Sequence, residues 1–202
     1  MAAAPDFVLA AAFLLTWVAP TTLGQQAVRR LMNVIELEFI VVHATGALGA
    51  IAVSGMTRSM KVTMFSGLAV VYFFFVGAIS KMSGSVWPLV SFYGLMFAKL
   101  PAVVFGMRQA EGKKGALLWW PVMAVAYVMG AFVTAFLPLP RLGITAQVIA
   151  AQGFVNEGGI WVDEPQRVMA FGFLYFVVLG FYALTSSLQE ATAAADGAEE
   201  AP

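Results

Sequence analysis

Residues 31–53, LMNVIELEFIVVHATGALGAIAV, decide how the chain is read. The stretch is apolar for long enough to cross a bilayer as a helix, which takes about 20 residues. It also carries Glu36, Glu38 and the chain's only histidine, His43. Ionisable side chains are costly against hydrocarbon and turn toward protein or water instead. The stretch therefore predicts both a membrane span and a polar site within it.

Composition points the same way. Of 202 residues, 61% are hydrophobic and only 11% charged, and the mean hydropathy is +0.86. A soluble domain carries about a quarter charged residues, so the composition is that of an integral membrane protein whose first partner is the lipid bilayer. Lysine plus arginine balance aspartate plus glutamate at 11 each. That balance leaves no basic footprint for nucleic acid. Cysteine is absent, which excludes disulfides, thiolate metal sites and cysteine catalysis.

Working outward, apolar runs predict spans at about 7–24, 31–53, 65–82, 87–107, 116–137 and 166–188. The expected fold is an all-α polytopic membrane protein: a six-helix transmembrane bundle forming one domain over 1–188. The first run has no basic residue before it and no clean small-x-small site after it, so it reads as a retained helix rather than a signal peptide. Pro20 marks its exit. Trp87 and Pro88 open the fourth run, and Trp119, Trp120 and Pro121 the fifth, as interfacial aromatics followed by a helix-compatible proline.

Ala126, Gly130 and Thr134 recur every four residues on the fifth run, a spacing that lets helices approach closely. Residues 138–168 form the one longer loop, and its ITAQVIAAQGF segment reads as a short interfacial helix. Asp163, Glu164 and Pro165 signal the start of the last span, whose Gly172 and Gly180 suggest packing. The final stretch, 189–202, holds four acids and no base and reads as a disordered acidic tail.

Orientation follows from loop charge. With a cytoplasmic N-terminus, Arg58, Lys61, Arg108, Lys113 and Lys114 lie inside, while Arg29, Arg30, Lys81, Arg141 and Arg167 lie outside. These counts tie. Lys81 sits at a helix edge and the last two arginines in the longest loop, so we place both termini in the cytoplasm of a bacterial-type inner membrane.

On a helix, Asn33, Glu36, Ile40, His43 and Ala47 share one stripe, and Glu38, Thr45 and Gly49 another. His43 and Lys99 each lie 12 positions into their spans, roughly 18 Å deep, which places both near the midplane. Lys99 precedes Pro101, whose missing N–H loosens the helix. The candidate site is therefore Glu36, Glu38, His43 and Lys99, supported by Asn33, Thr45 and Lys81.

Three readings of these residues stand side by side. The glutamates lie among headgroups or pair with Arg29, Arg30 or Lys81 while Lys99 snorkels. Alternatively Glu38 and Lys99 form a structural buried pair. In the third reading the group marks an ion, proton or solute path.

The functions that follow are small-solute or proton-linked transport, a non-catalytic accessory subunit of a larger membrane complex or homo-oligomer, and a redox protein binding haem or metal through His43. With one histidine and no cysteine, haem ligated by two histidines needs a dimer sharing it, so no cofactor is expected. Neither GxSxG nor HExxH occurs. The pattern points away from an enzyme.

Overall fold

Proline and glycine punctuate the chain into helices. The computed structural model describes residues 3–105, 114–154 and 158–199, and among these the regular elements are all helical. They are α1 (Ala4–Val18), α2 (Ala27–Val53), α3 (Arg58–Ser83), α4 (Trp87–Ala98), α5 (Leu100–Phe105), α6 (Lys114–Phe136), α7 (Ala146–Ala151), α8 (Ile160–Asp163) and α9 (Pro165–Glu199).

Among the described residues three helical stretches are long and apolar enough to cross a membrane: Ala27–Val53, Arg58–Lys81 and Pro165–Gln189. Ala4–Val18, Trp87–Ala98 and Met123–Phe136 are apolar but shorter. Of the expected six full spans, the described residues show an all-helical fold with three helices of spanning length. The reasons are local. At 1.5 Å per residue α1 is about 22 Å long, against a hydrocarbon core of about 30 Å, and Pro20 follows close behind its end. The run 87–107 is divided at Lys99 into α4 and α5.

Helix ends also differ from the apolar runs. α2 starts at Ala27 and α3 at Arg58 because arginine, lysine and methionine are good helix formers whatever their polarity. Thr57 caps α3 by accepting from the Met60 N–H at 3.4 Å. Gly84, at φ 62°, ends it in the left-handed conformation that glycine adopts freely. Pro121, expected in a first turn, lies inside α6. α9 runs on to Glu199, so residues 189–199, read from sequence as a solvated tail, are helical; ATAAADGAE is alanine-rich, and alanine has the highest helix propensity.

The chain forms two compact units. Residues up to Met32 together with those from Gly130 onward make one, and Asn33–Met129 the other. In the first unit α1 packs on α9, phenylalanine into glycine. A Cβ at Gly172 would stand 2.4 Å from the Phe13 ring, and one at Gly180 would stand 2.9 Å from Phe7. Phe13 stacks on Phe176 at 5.7 Å, and Phe7 meets Phe181 edge-on at 5.3 Å. Gly130 likewise receives Phe171, with 2.9 Å between its would-be Cβ and that ring.

The 138–168 connection is tied into this same unit, and its ITAQVIAAQGF segment forms the short helix α7 at Ala146–Ala151. The Trp17 indole N–H donates to the Pro140 carbonyl at 2.9 Å, and the Gly143 N–H donates to the Trp17 carbonyl at 3.0 Å. Gln152, only 1% exposed, closes a knot at the start of α2. Its Oε1 accepts from the Arg29 N–H, one of the orphan first-turn donors, at 3.1 Å. Its Nε2 donates to the Gln25 and Val148 carbonyls, each at 2.8 Å. The Arg29 guanidinium donates in turn to the Gln152 and Gly153 carbonyls, at 3.1 and 2.9 Å, and lies over the Phe154 ring.

In the second unit Ile40, Ala44 and Leu48 of α2 share a core with Phe65, Val76 and Ile79 of α3, Phe92 and Met96 of α4, and Val103 of α5. The Tyr93 hydroxyl donates to the Ala69 carbonyl at 2.6 Å, joining α4 to α3. The outward face of α3 carries Val70, Val71, Phe73, Phe74 and Phe75, with Phe74 70% exposed. A water-facing helix presents polar side chains there; this surface matches hydrocarbon.

Two stability outcomes follow. Gly172→Val, which drives a branched side chain into Phe13, should destabilise the protein by about 1–3 kcal/mol. Gln152→Leu strands the donor and acceptors of a buried knot and should cost about 1–3 kcal/mol. Thermal unfolding in detergent, followed by tryptophan fluorescence, checks both.

Candidate functional site

The site grows from the regular turn of α2. Val41, Ala44, Thr45 and Leu48 stand three and four apart and so share a face; with Phe92, Leu95, Met96 and Lys99 they line a cavity of about 20 Å³. Glu38 lies on the same stripe one turn before Val41. A cavity this small holds about one water and nothing larger.

Lys99 reaches the cavity because the helix breaks beneath it. Pro101 has no N–H, so the Phe97 carbonyl loses its regular donor four residues on. The Lys99 N–H turns to the Met96 carbonyl at 3.1 Å, a tighter three-residue bond. The helical ladder resumes with the Val103 N–H donating to the Lys99 carbonyl at 3.1 Å. The half-buried Lys99 side chain then donates from Nζ to Thr45 Oγ1 at 2.9 Å. Of the expected residues, Lys99 and Thr45 are thus joined directly. Glu38 lies seven residues before Thr45, about 10 Å along the helix.

A second polar group forms around Tyr127 of α6, a residue the sequence reading did not select. Tyr127 is buried, and its hydroxyl donates to the Ile35 carbonyl at 2.6 Å. The carboxylates of Glu38 and Glu36 lie close enough to act on it electrostatically. Both glutamates are half-buried and neither is without a partner. The missed signal was a single phenol within the apolar run 116–137, where a buried tyrosine hydroxyl needs an acceptor.

His43 sits between these groups along the chain. Its Nδ1 lies 2.6 Å from the Phe39 carbonyl, and its ring lies 4.1 Å from the Phe39 ring. A carbonyl only accepts, so this bond puts the hydrogen on Nδ1 and leaves Nε2 as the atom that takes up a proton or binds a ligand. Phe39 in turn packs against Tyr127 at 5.5 Å.

The remaining candidates are peripheral. Asn33 is half-buried one turn before Glu36. Lys81 is exposed in the last turn of α3, where a cation complements the helix dipole. Arg29 donates to the loop carbonyls already described and Arg30 to the Leu23 carbonyl. Among the described residues no three of His, Asp and Glu converge as a metal site.

Comparison with known proteins finds no matching family model, no matching curated protein and no matching solved structure. The reading therefore rests on this geometry. Thr45→Val keeps the shape of residue 45 but removes the acceptor for Lys99. It should lower stability by about 0.5–1.5 kcal/mol, with Thr45→Ser close to wild type in the same unfolding measurement.

Proposed function

We propose that the chain is a multi-pass membrane protein of a bacterial-type inner membrane, its termini cytoplasmic, that moves protons, or a small solute coupled to them, along the polar residues of α2. In this reading α1, α4 with α5, and α6 complete a set of six spans alongside the three helices of full length. The observation that carries the proposal is the bond from Lys99 Nζ to Thr45 Oγ1 beside a proline break. It brings an ammonium group to the face of α2 that also bears Glu38. Polar and ionisable groups within spanning helices characteristically mark ion, proton or substrate paths, and broken helices line such paths in transporters.

Size favours protons over an organic solute. The cavity between Thr45 and Lys99, about 20 Å³, admits a water and no metabolite. Glu38, on one stripe of α2, and Lys99, which reaches that stripe, are exchangeable groups, and His43, through Nε2, is one on the other stripe; water bridges spacings too long for direct transfer. A second reading, an accessory subunit held in a larger complex, draws on the apolar outer face of α3, which suits a partner helix as well as lipid.

The test is proton flux in liposomes containing the purified chain and a pH-sensitive dye, under an imposed gradient. Wild type should collapse the gradient faster than empty liposomes. Glu38→Gln and His43→Gln should each slow it by about a hundredfold, the low end of what one proton-transferring group contributes. A wild-type rate equal to that of empty liposomes would overturn the proposal, as would a Glu38→Gln, His43→Gln double variant that conducts normally. Zero flux together with a stoichiometric co-purifying protein would support the second reading.

A further inference from the structure

Phe39 stands between two carbonyls of α2 that each serve two donors. In the helical ladder the Phe39 N–H donates to the Ile35 carbonyl and the His43 N–H to the Phe39 carbonyl, each four residues back. A carbonyl oxygen has two lone pairs. The second on Ile35 is taken by the Tyr127 hydroxyl at 2.6 Å, and the second on Phe39 by His43 Nδ1, also at 2.6 Å. The rings follow the same order, Tyr127 packing on Phe39 at 5.5 Å and Phe39 on His43 at 4.1 Å. All four residues belong to the Asn33–Met129 unit.

Burial says which member is the anchor. Tyr127 of α6 is 3% exposed and tied to a backbone atom of α2, so its ring is fixed beside that helix. Phe39 is 41% exposed, and a side chain this open keeps rotamer freedom unless a neighbour holds it. His43 is half-buried, and for Nδ1 to reach a carbonyl four residues earlier its side chain must fold back over the preceding turn. The Phe39 ring lies against the imidazole on that turn. Where the phenol holds Phe39 therefore limits where the imidazole can go.

We infer that Tyr127 is a positioning residue: through the Phe39 ring it holds His43 in the tautomer that carries hydrogen on Nδ1 and keeps Nε2 as the accepting atom. The bond that one ring nitrogen makes to a carbonyl decides which lone pair is left for a proton or a ligand. Without the clamp the imidazole is free to turn from the Phe39 carbonyl, and the hydrogen distributes over both nitrogens. The tautomer assignment stands apart from transport; only its effect on flux rests on the proton movement proposed above.

His43 is the chain's only histidine, so the full chain, isotope-labelled at histidine and free of a histidine tag, gives one pair of ring-nitrogen resonances. Nuclear magnetic resonance in lipid bilayers at about pH 9, above the ordinary imidazole range, reads which nitrogen of the neutral ring carries the hydrogen. Wild type should show it on Nδ1. Tyr127→Leu should lower the ratio of the Nδ1–H to the Nε2–H form by about fivefold, the equilibrium change one net hydrogen bond is worth. Phe39→Leu removes the intermediate ring at an exposed position, should lower the ratio equally, and serves if the first variant misfolds. Tyr127→Phe keeps the clamping ring and should hold the wild-type ratio. Hydrogen on Nε2 in wild type would overturn the inference. So would a wild-type ratio in both leucine variants, or a Tyr127→Phe ratio as low as that of Tyr127→Leu. In the liposome assay Tyr127→Leu should slow proton flux by about the same fivefold; a wild type without flux removes the proton reading and leaves the tautomer ratio to decide this one.

Discussion

A lysine ammonium among apolar side chains must find an acceptor, and in the Asn33–Met129 unit Lys99 finds Thr45 Oγ1 at 2.9 Å. Much else in that unit is arranged around this requirement. Pro101 withholds an N–H, the helix divides, and the Lys99 backbone takes the tighter bond to Met96 that ends α4. Phe92, Met96 and Val103, on either side of the break, still share one core with Ile40, Ala44 and Leu48. The break leaves this core shared across α4 and α5, and a water-sized space lies beside Lys99 on the face of α2 that also carries Glu38.

The other unit answers a different constraint, close approach of helices with little polar glue. Gly172 and Gly180 let Phe13 and Phe7 press onto the α9 backbone, and the rings then stack with Phe176 and Phe181. Dispersion between packed surfaces drives such association where lipid is as apolar as the side chains. The polar exception is Gln152, whose amide is fully used by Arg29, Gln25 and Val148. A buried amide is stabilising when every donor and acceptor is met and costly when one is not. This knot fixes the loop after α6 against the start of α2.

The sequence made the helical class legible because hydrocarbon-length apolar runs have few other uses. Helical spacing also put Glu38 and Thr45 on one stripe of α2, whereas Lys99, read within an unbroken run, falls at the division between α4 and α5. Less was legible where a tertiary partner decides the outcome. Pro101 signals a break, but only the fold shows that Lys99 turns to Thr45. Gln152 sits in a loop with no periodicity, and its value comes from Gln25 and Arg29, more than a hundred residues away. Tyr127 resembles any aromatic in an apolar run until its hydroxyl is seen on the Ile35 carbonyl. Helix ends were misjudged where apolarity stopped but helix propensity did not, at residues 58–64 and again at 189–199.

The central claim is that both polar stripes of α2, the one bearing His43 and the one bearing Thr45, meet water inside the membrane while the outer face of α3 meets hydrocarbon. Water-edited solid-state nuclear magnetic resonance of the chain in lipid bilayers addresses it without altering a residue, by timing the transfer of magnetisation from water to each side chain. The account expects rapid transfer to His43 and Thr45 and slow transfer to Phe74. Transfer to His43 and Thr45 as slow as that to Phe74 would contradict it.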